Sequence, residues 1–210
     1  MDRPTCYQIF TLLAKNNPTP ATELIYDTPF QLLIAAVFSA QSTDVAVNRV
    51  TRTLFHDAPT PQTMLKLGYE KLVHYIHSLG LYRNKAKHAL GICQQLIDQH
   101  QGEVPNSREA LESLPGVGRK TANILLNIIF DQPVIAVDTH VFRVSNRTGV
   151  ARGSNVQTVE KHLMHNIPDP FRQHAHHWLV LLGRYTCKAQ KPLCAQCVIA
   201  QHCEYPAKLM

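Results

Sequence analysis

Four cysteines crowded into one short stretch constrain this chain more than any other feature. Cys187, Cys194, Cys197 and Cys203 are separated by six, two and five residues, so a single loop, residues 187–203, carries all four. No second segment is needed to complete a site. A structural zinc site more often uses two Cys-x-x-Cys pairs, and only one such pair is present here. Four thiolates also hold a 4Fe-4S cluster. The spacing by itself leaves zinc and iron–sulfur both open. Cys6 and Cys93 stand apart from the array, and no role is assigned to either.

The start, MDRPTCYQIF, shows no apolar run behind a basic segment, and the longest apolar run, Leu32 to Phe38, is far short of a bilayer's width. The expectation is a cytoplasmic protein with no membrane partner. In that compartment clustered cysteines are more often metal ligands than disulfides. The formal net charge of +6 suits a polyanionic partner, since Lys and Arg contacts to phosphate are the usual source of such affinity. Arg184, Lys188 and Lys191 make the cysteine loop itself basic.

The rest of the chain reads as helix. Cys6, Ile9, Phe10 and Leu13 recur at amphipathic spacing, as do Ala86, Ala89, Leu90, Cys93 and Leu96, with Gly102 as a stop. Thr60-Pro61 reads as a cap and first helical position. Phe30 to Ala40 is apolar all round, which predicts a buried helix. Val156, Val159, Leu163 and Ile167 mark another helix closed by Pro168, and Ala175, Trp178, Leu179 and Leu182 mark the next. Only Val134 to Val137 reads as extended. The fold class is all-α, with no internal repeat and no flexible linker; composition alone shows no domain boundary.

Residues 114–121 read Leu-Pro-Gly-Val-Gly-Arg-Lys-Thr. Before them stand Asn106 as a cap, Glu109, Ala110, Leu111 and Leu114; after them Thr121, Ile124, Leu125 and Ile128 share a helix face. Pro115 stops the first helix, and Gly116 and Gly118 permit positive φ and close backbone approach. The N–H groups of Gly116 and Gly118, and those opening the next helix from Arg119, then point outward as a nest for a phosphate, with Val117 between them in the same DNA-binding turn. A plain helix–turn–helix corner is the competing reading. Lys120 follows in the first turn. A free lysine amine is unprotonated in only roughly one molecule in two thousand at neutral pH. Partial burial and the positive end of a helix both favour the neutral, nucleophilic form.

Asp138, in Val137-Asp138-Thr139-His140, reads as an N-cap of the next helix. A carboxylate so placed stays ionised and can stabilise a cationic sugar. His140 is either a packed histidine or a proton carrier.

Together these motifs resemble the helix–hairpin–helix DNA glycosylase superfamily, and within it the bacterial endonuclease III family. The resemblance runs through Ser39-Ala40-Gln41-Ser42-Thr43-Asp44, Gly80-Leu81-Tyr82 to Lys85-Ala86, Leu114 to Asn123, Val137 to Arg147, His176-His177-Trp178 and the cysteine array. It implies a two-domain fold, with a six-helix domain at residues 22–132 and a second domain from residues 1–21 plus 133–210 carrying the cluster loop. It implies Lys120 and Asp138 as the catalytic pair, Gln41 filling the gap left by a flipped base, Leu81 as a wedge, and Asp44 in support. Cysteines at this spacing belong in the family to a 4Fe-4S cluster. One departure stands out: Leu182 precedes Gly183-Arg184 where the family leads us to expect His.

The activity so implied is removal of oxidised pyrimidines from damaged double-stranded DNA, followed by strand cleavage through a lysine Schiff base, by a monomer. Two alternatives differ in what they require. An adenine-type mismatch glycosylase needs an acid in the helix before the Gln41 motif, where Phe30 to Ala40 has none, a further domain after the cysteines, and no hairpin lysine. A non-catalytic DNA-binding module with a structural metal needs neither Lys120 nor Asp138.

Overall fold

Nine consecutive residues, Phe30–Phe38, are all buried, and around this apolar segment one half of the molecule is organised. The computed structural model describes residues 1–208 and divides into two compact units, Thr22–Phe130 and Met1–Ala21 with Asp131–Met210. No strand occurs among the described residues, and none of their helices is long and apolar enough to cross a membrane. The chain is all-α.

In the first unit the buried segment is α2 (Pro29–Phe38), followed by α3 (Asp44–Asp57), α4 (Pro61–Leu67), α5 (Tyr69–Ile76), α6 (Tyr82–His100), α7 (Arg108–Glu112) and α8 (Arg119–Phe130). Helix α2 packs against α3, α6 and α8, so every side of it meets protein. That is why no polar face is visible in its sequence. Fully buried Leu32, Leu33, Ile34 and Phe38 each contribute about 1.5–3 kcal/mol by leaving water. The N-termini are closed by short hydroxyl side chains. Thr28, Thr43, Thr60 and Ser107 each accept a backbone N–H from the first turn. At α4 the Thr60–Thr63 pair forms a reciprocal capping box.

The second unit contains α1 (Arg3–Asn16), α9 (Thr139–Thr148), α10 (Val156–Asn166) and α11 (Asp169–Leu181). Helix α11 runs on into a π-helical turn at Leu182–Thr186. Cys6, Ile9, Phe10 and Leu13 of α1 are buried against Val141, Val144, Leu163, Trp178 and Leu179. Phe10 lies 5.9 Å from Phe171 and 6.2 Å from Trp178 between ring centroids. The Trp178 indole N–H donates to the Asn17 carbonyl at 2.8 Å, which ties the end of α1 to α11.

Four expectations need correcting. Residues 134–137 are irregular, not strand; Ile135, Ala136 and Val137 are buried all the same. Their polar backbone is partly answered by His176, whose Nδ1–H donates to the Ala136 carbonyl at 2.9 Å. Helix α7 is capped by Ser107 instead of Asn106. On α6 the buried stripe takes Ile92 and Lys85 in place of Leu90. The buried face of α8 is Ala122, Asn123, Leu125, Leu126 and Asn127, rotated from the Thr121–Ile124–Ile128 face. Two buried asparagines explain the misregister: the Asn123 side-chain oxygen accepts from Arg108 Nε at 3.1 Å, so a polar residue is satisfied inside.

Candidate functional site

The hairpin between α7 and α8 is built by its two glycines in different ways. Gly116 has φ +75°, a left-handed conformation that a Cβ disfavours. A Cβ there would also run into the His88 ring. Gly118 is not left-handed, and a Cβ on it would meet no atom within 4 Å. Nothing inside the chain therefore requires glycine at 118. Val117 is buried, and its N–H donates to the Leu114 carbonyl at 3.1 Å. It anchors the turn, so its N–H is not available to a phosphate. The N–H groups of Gly116, Gly118 and Lys120 make no hydrogen bond among the described residues. Arg119 opens α8, exposed.

Lys120 sits in the first turn of α8 and is exposed. The partial burial expected of it is absent.

In the same unit two loops are drawn together. Gln41 and Leu81 are both exposed and both left-handed, with φ 53° and 57°. For a non-glycine residue that conformation costs on the order of 1–2 kcal/mol. Leu81 leaves half its surface to solvent, 52%. A Cβ on neighbouring Gly80 would lie 3.3 Å from the Gln41 carbonyl oxygen. Lys85 spans the two loops: its N–H donates to the Leu81 carbonyl at 3.0 Å and its Nζ to Ser42 Oγ at 2.8 Å. Asp44 begins α3 directly after the cap Thr43, half-buried. Lys85 falls within a motif that the sequence displays, Gly80 to Ala86, but the sequence assigns it no role. Its signal was position, since it shares the buried stripe of Ala89, Ile92 and Leu96.

In the other unit Asp138 caps α9, accepting the Val141 N–H at 2.8 Å. His140 is half-buried, and its Nδ1 lies 3.2 Å from Arg143 Nη2. A guanidinium only donates, so that nitrogen is the acceptor. Arg143 also donates to the carbonyls of Gly183 at 2.8 Å and Cys187 at 3.1 Å. A Cβ on Gly183 would approach His140 Cβ to 2.8 Å. His140 thus works as a packed histidine between α9 and the π-helical turn. Leu182 opens that turn and is buried in the core, so the departure at this position is a change of packing.

The four cysteines of the loop line one pocket, together with Leu182, Pro192, Leu193 and Ile199. No disulfide joins them. Burial pushes the Cys197 and Cys203 thiols up, and the neighbouring array thiols add to it. Thiolates there call for a positive partner. Four thiols lining one apolar-walled pocket, with a single Cys-x-x-Cys pair among them, fit a 4Fe-4S cluster. Arg147 braces the loop, donating to the Lys188 and Ala189 carbonyls at 2.6 and 2.9 Å and to Cys187 Sγ at 3.7 Å. Lys188 and Lys191 are exposed on the loop, and Arg184 is half-buried in the π-helical turn.

The comparisons with known proteins agree with this arrangement. Residues 34–169 match the model of the HhH-GPD superfamily of base excision DNA repair proteins. Residues 187–203 match the iron–sulfur binding domain of endonuclease III. Endonuclease III of Escherichia coli (strain K12) is 52% identical over 209 residues, covering 100% of this chain and 99% of that protein. The Haemophilus influenzae enzyme of the same name is 51% identical with the same coverage. A solved structure of a trapped endonuclease III–DNA covalent intermediate superposes with TM-score 0.90 at 45% identity, covering 97% of this chain and 96% of that one. The chain belongs to the endonuclease III family of the HhH-GPD superfamily of base excision DNA repair proteins.

Proposed function

We propose that the chain excises oxidised pyrimidines from damaged double-stranded DNA and then cuts the strand, with Lys120 as nucleophile. Its enzyme class, DNA glycosylase with abasic-site lyase activity, and its iron–sulfur cluster come with the family; the lesion, the residue roles and the cytoplasmic, monomeric state are our reading. The observation that carries it is the pairing of a lysine at a helix start with a hairpin whose Gly116 and Gly118 N–H groups make no hydrogen bond among the described residues.

Gly116, Gly118 and Arg119 hold a phosphate at the hairpin without reading sequence. Arg184, Lys188 and Lys191 give a second, electrostatic contact. The damaged nucleotide leaves the stack, because C1′ is out of reach inside the duplex. Gln41 fills the space it vacates and Leu81 wedges the opposite strand. The neutral Lys120 amine attacks C1′, the bond from C1′ to the base breaks, and the base departs with the electron pair. Asp138 counters the positive charge on the sugar, with Asp44 and His140 supporting the surrounding structure. The attached amine sheds a proton and the C1′–O4′ bond opens, O4′ taking up a proton, to give the protonated Schiff base between Lys120 and C1′; loss of a C2′ proton from it expels the 3′ phosphate by β-elimination.

Cys187, Cys194, Cys197 and Cys203 hold the cluster, which when bound clips the basic loop into one shape. The expected substrate is tested by excision from duplexes carrying either thymine glycol or adenine opposite an oxidised guanine. Cleavage at thymine glycol supports the reading, and release of adenine alone places the chain in the adenine-type branch.

A further inference from the structure

We propose that Lys85 is a positioning residue that latches the Gln41 and Leu81 loops into one element, so that both side chains enter the duplex together. The proposal rests on the reading of Gln41 and Leu81 given above. The Lys85 ammonium holds Ser42 Oγ, next to Gln41, at 2.8 Å. Lys85 itself stands in the first turn of α6, where its backbone N–H makes the ordinary i→i−4 bond to the Leu81 carbonyl at 3.0 Å, so its side chain joins the turn that carries Leu81 to the Gln41 loop. Gly80 lies so close under the Gln41 carbonyl that a Cβ would sit 3.3 Å from it.

Both loops need such support. Gln41 and Leu81 are non-glycine residues held left-handed, and Leu81 has no side-chain cap bond to secure the start of α6. Conformations of this kind persist where the surroundings over-determine them. Lys85 is 3% exposed and lies on the buried stripe of α6. Stability alone would place Leu or Met on such a stripe, since burying a charge costs more than packing an apolar chain. Burial does push the lysine's pKa below its ordinary value. The one side-chain acceptor it has been given is the hydroxyl of the residue following Gln41. A group that costs stability and reaches both loops is there to fix their mutual geometry.

The test uses Ser42→Ala, Lys85→Met and the double variant, with Gln41→Ala as reference. Each is assayed in single turnover on a thymine glycol duplex and on an abasic site in single-stranded DNA, where no base is extruded. Ser42→Ala and Lys85→Met are expected to slow duplex excision by about tenfold each, as for one lost hydrogen bond, with the double variant no slower than Lys85→Met alone. Cleavage of the single-stranded substrate stays at the wild-type rate. Equal losses on both substrates would make Lys85 merely structural, and unchanged duplex excision in Ser42→Ala and Lys85→Met would overturn the latch. If those two are unchanged while Gln41→Ala is slow, only the latch fails. If Gln41→Ala itself excises normally, the reading of Gln41 fails and takes the latch with it.

Discussion

Gly116 lies against the ring of His88 so closely that no side chain fits between them, and its φ of +75° is one that a Cβ resists. Gly118, two residues on, has neither constraint. The two alanine substitutions should therefore separate folding from binding. Gly116→Ala is expected to destabilise by about 1–3 kcal/mol in denaturant unfolding. Gly118→Ala should leave stability within about 0.5 kcal/mol yet bind abasic duplex at least about tenfold more weakly, because the added methyl meets a phosphate. Wild-type affinity in Gly118→Ala would mean that no phosphate approaches that glycine.

Asp138 caps α9, and its two neutral replacements separate that cap from the chemical role proposed for it. Asparagine also caps helices well, so Asp138→Asn should keep stability within about 0.5 kcal/mol while excision falls by about a hundredfold or more. Asp138→Ala loses the bond to the Val141 N–H as well, and should cost about 1 kcal/mol in thermal or chemical unfolding. Full activity in Asp138→Asn would remove the carboxylate from the chemistry.

The cluster loop depends on Arg147 as well as on its cysteines. Besides its three bonds into the loop, Arg147 stacks over the Tyr205 ring at 4.8 Å. Arg147→Met is expected to destabilise by about 2 kcal/mol and to lose its iron absorbance to a chelator faster, by up to about thirtyfold, the factor that energy allows. Arg152, which meets Glu204 at 2.8 Å with 64% of its side chain exposed, serves as control. Arg152→Ala should change stability by no more than about 0.5 kcal/mol.

Acid should act on the second unit through His177. Burial, then the neighbouring His176 and His174, lower its pKa from 6.5 to about 3, and its Nδ1 has no partner among the described residues. The unfolded chain takes a proton near pH 6.5 that the native state refuses until near pH 3, so stability is lost as pH falls through that window. Between about pH 6.5 and about pH 5 the loss amounts to about 2 kcal/mol. His177→Phe should remove that part of the acid dependence in unfolding measured at the two pH values. An unchanged difference would assign the acid limb to other groups.

What sequence could and could not reveal follows from what each pattern measures. The α2 segment was plain because burial on every side leaves no polar residue from Phe30 to Phe38 except Gln31, whose side chain accepts the Asp27 N–H at 2.7 Å. The α8 face was misread because hydropathy counts Asn123 and Asn127 as surface, and only the fold supplies the Arg108 partner. Lys120 was found by its place in the hairpin, but its exposure depends on where the first turn of α8 emerges. The cysteine spacing announced a loop site; the π-helical turn that leads into it, and the arginines that brace it, rest on partners 40 residues away in the chain. Lys85 was hidden for the same reason, its hydroxyl partner lying 43 residues back.

Borohydride trapping on a thymine glycol duplex, comparing wild type with Lys120→Ala, tests the central claim most directly. A reduced, covalent protein–DNA adduct formed by wild type and absent in Lys120→Ala, with duplex affinity retained, is the predicted result. An adduct that persists in Lys120→Ala would assign the nucleophile elsewhere, and no adduct in wild type despite tight binding would contradict the Schiff-base mechanism itself.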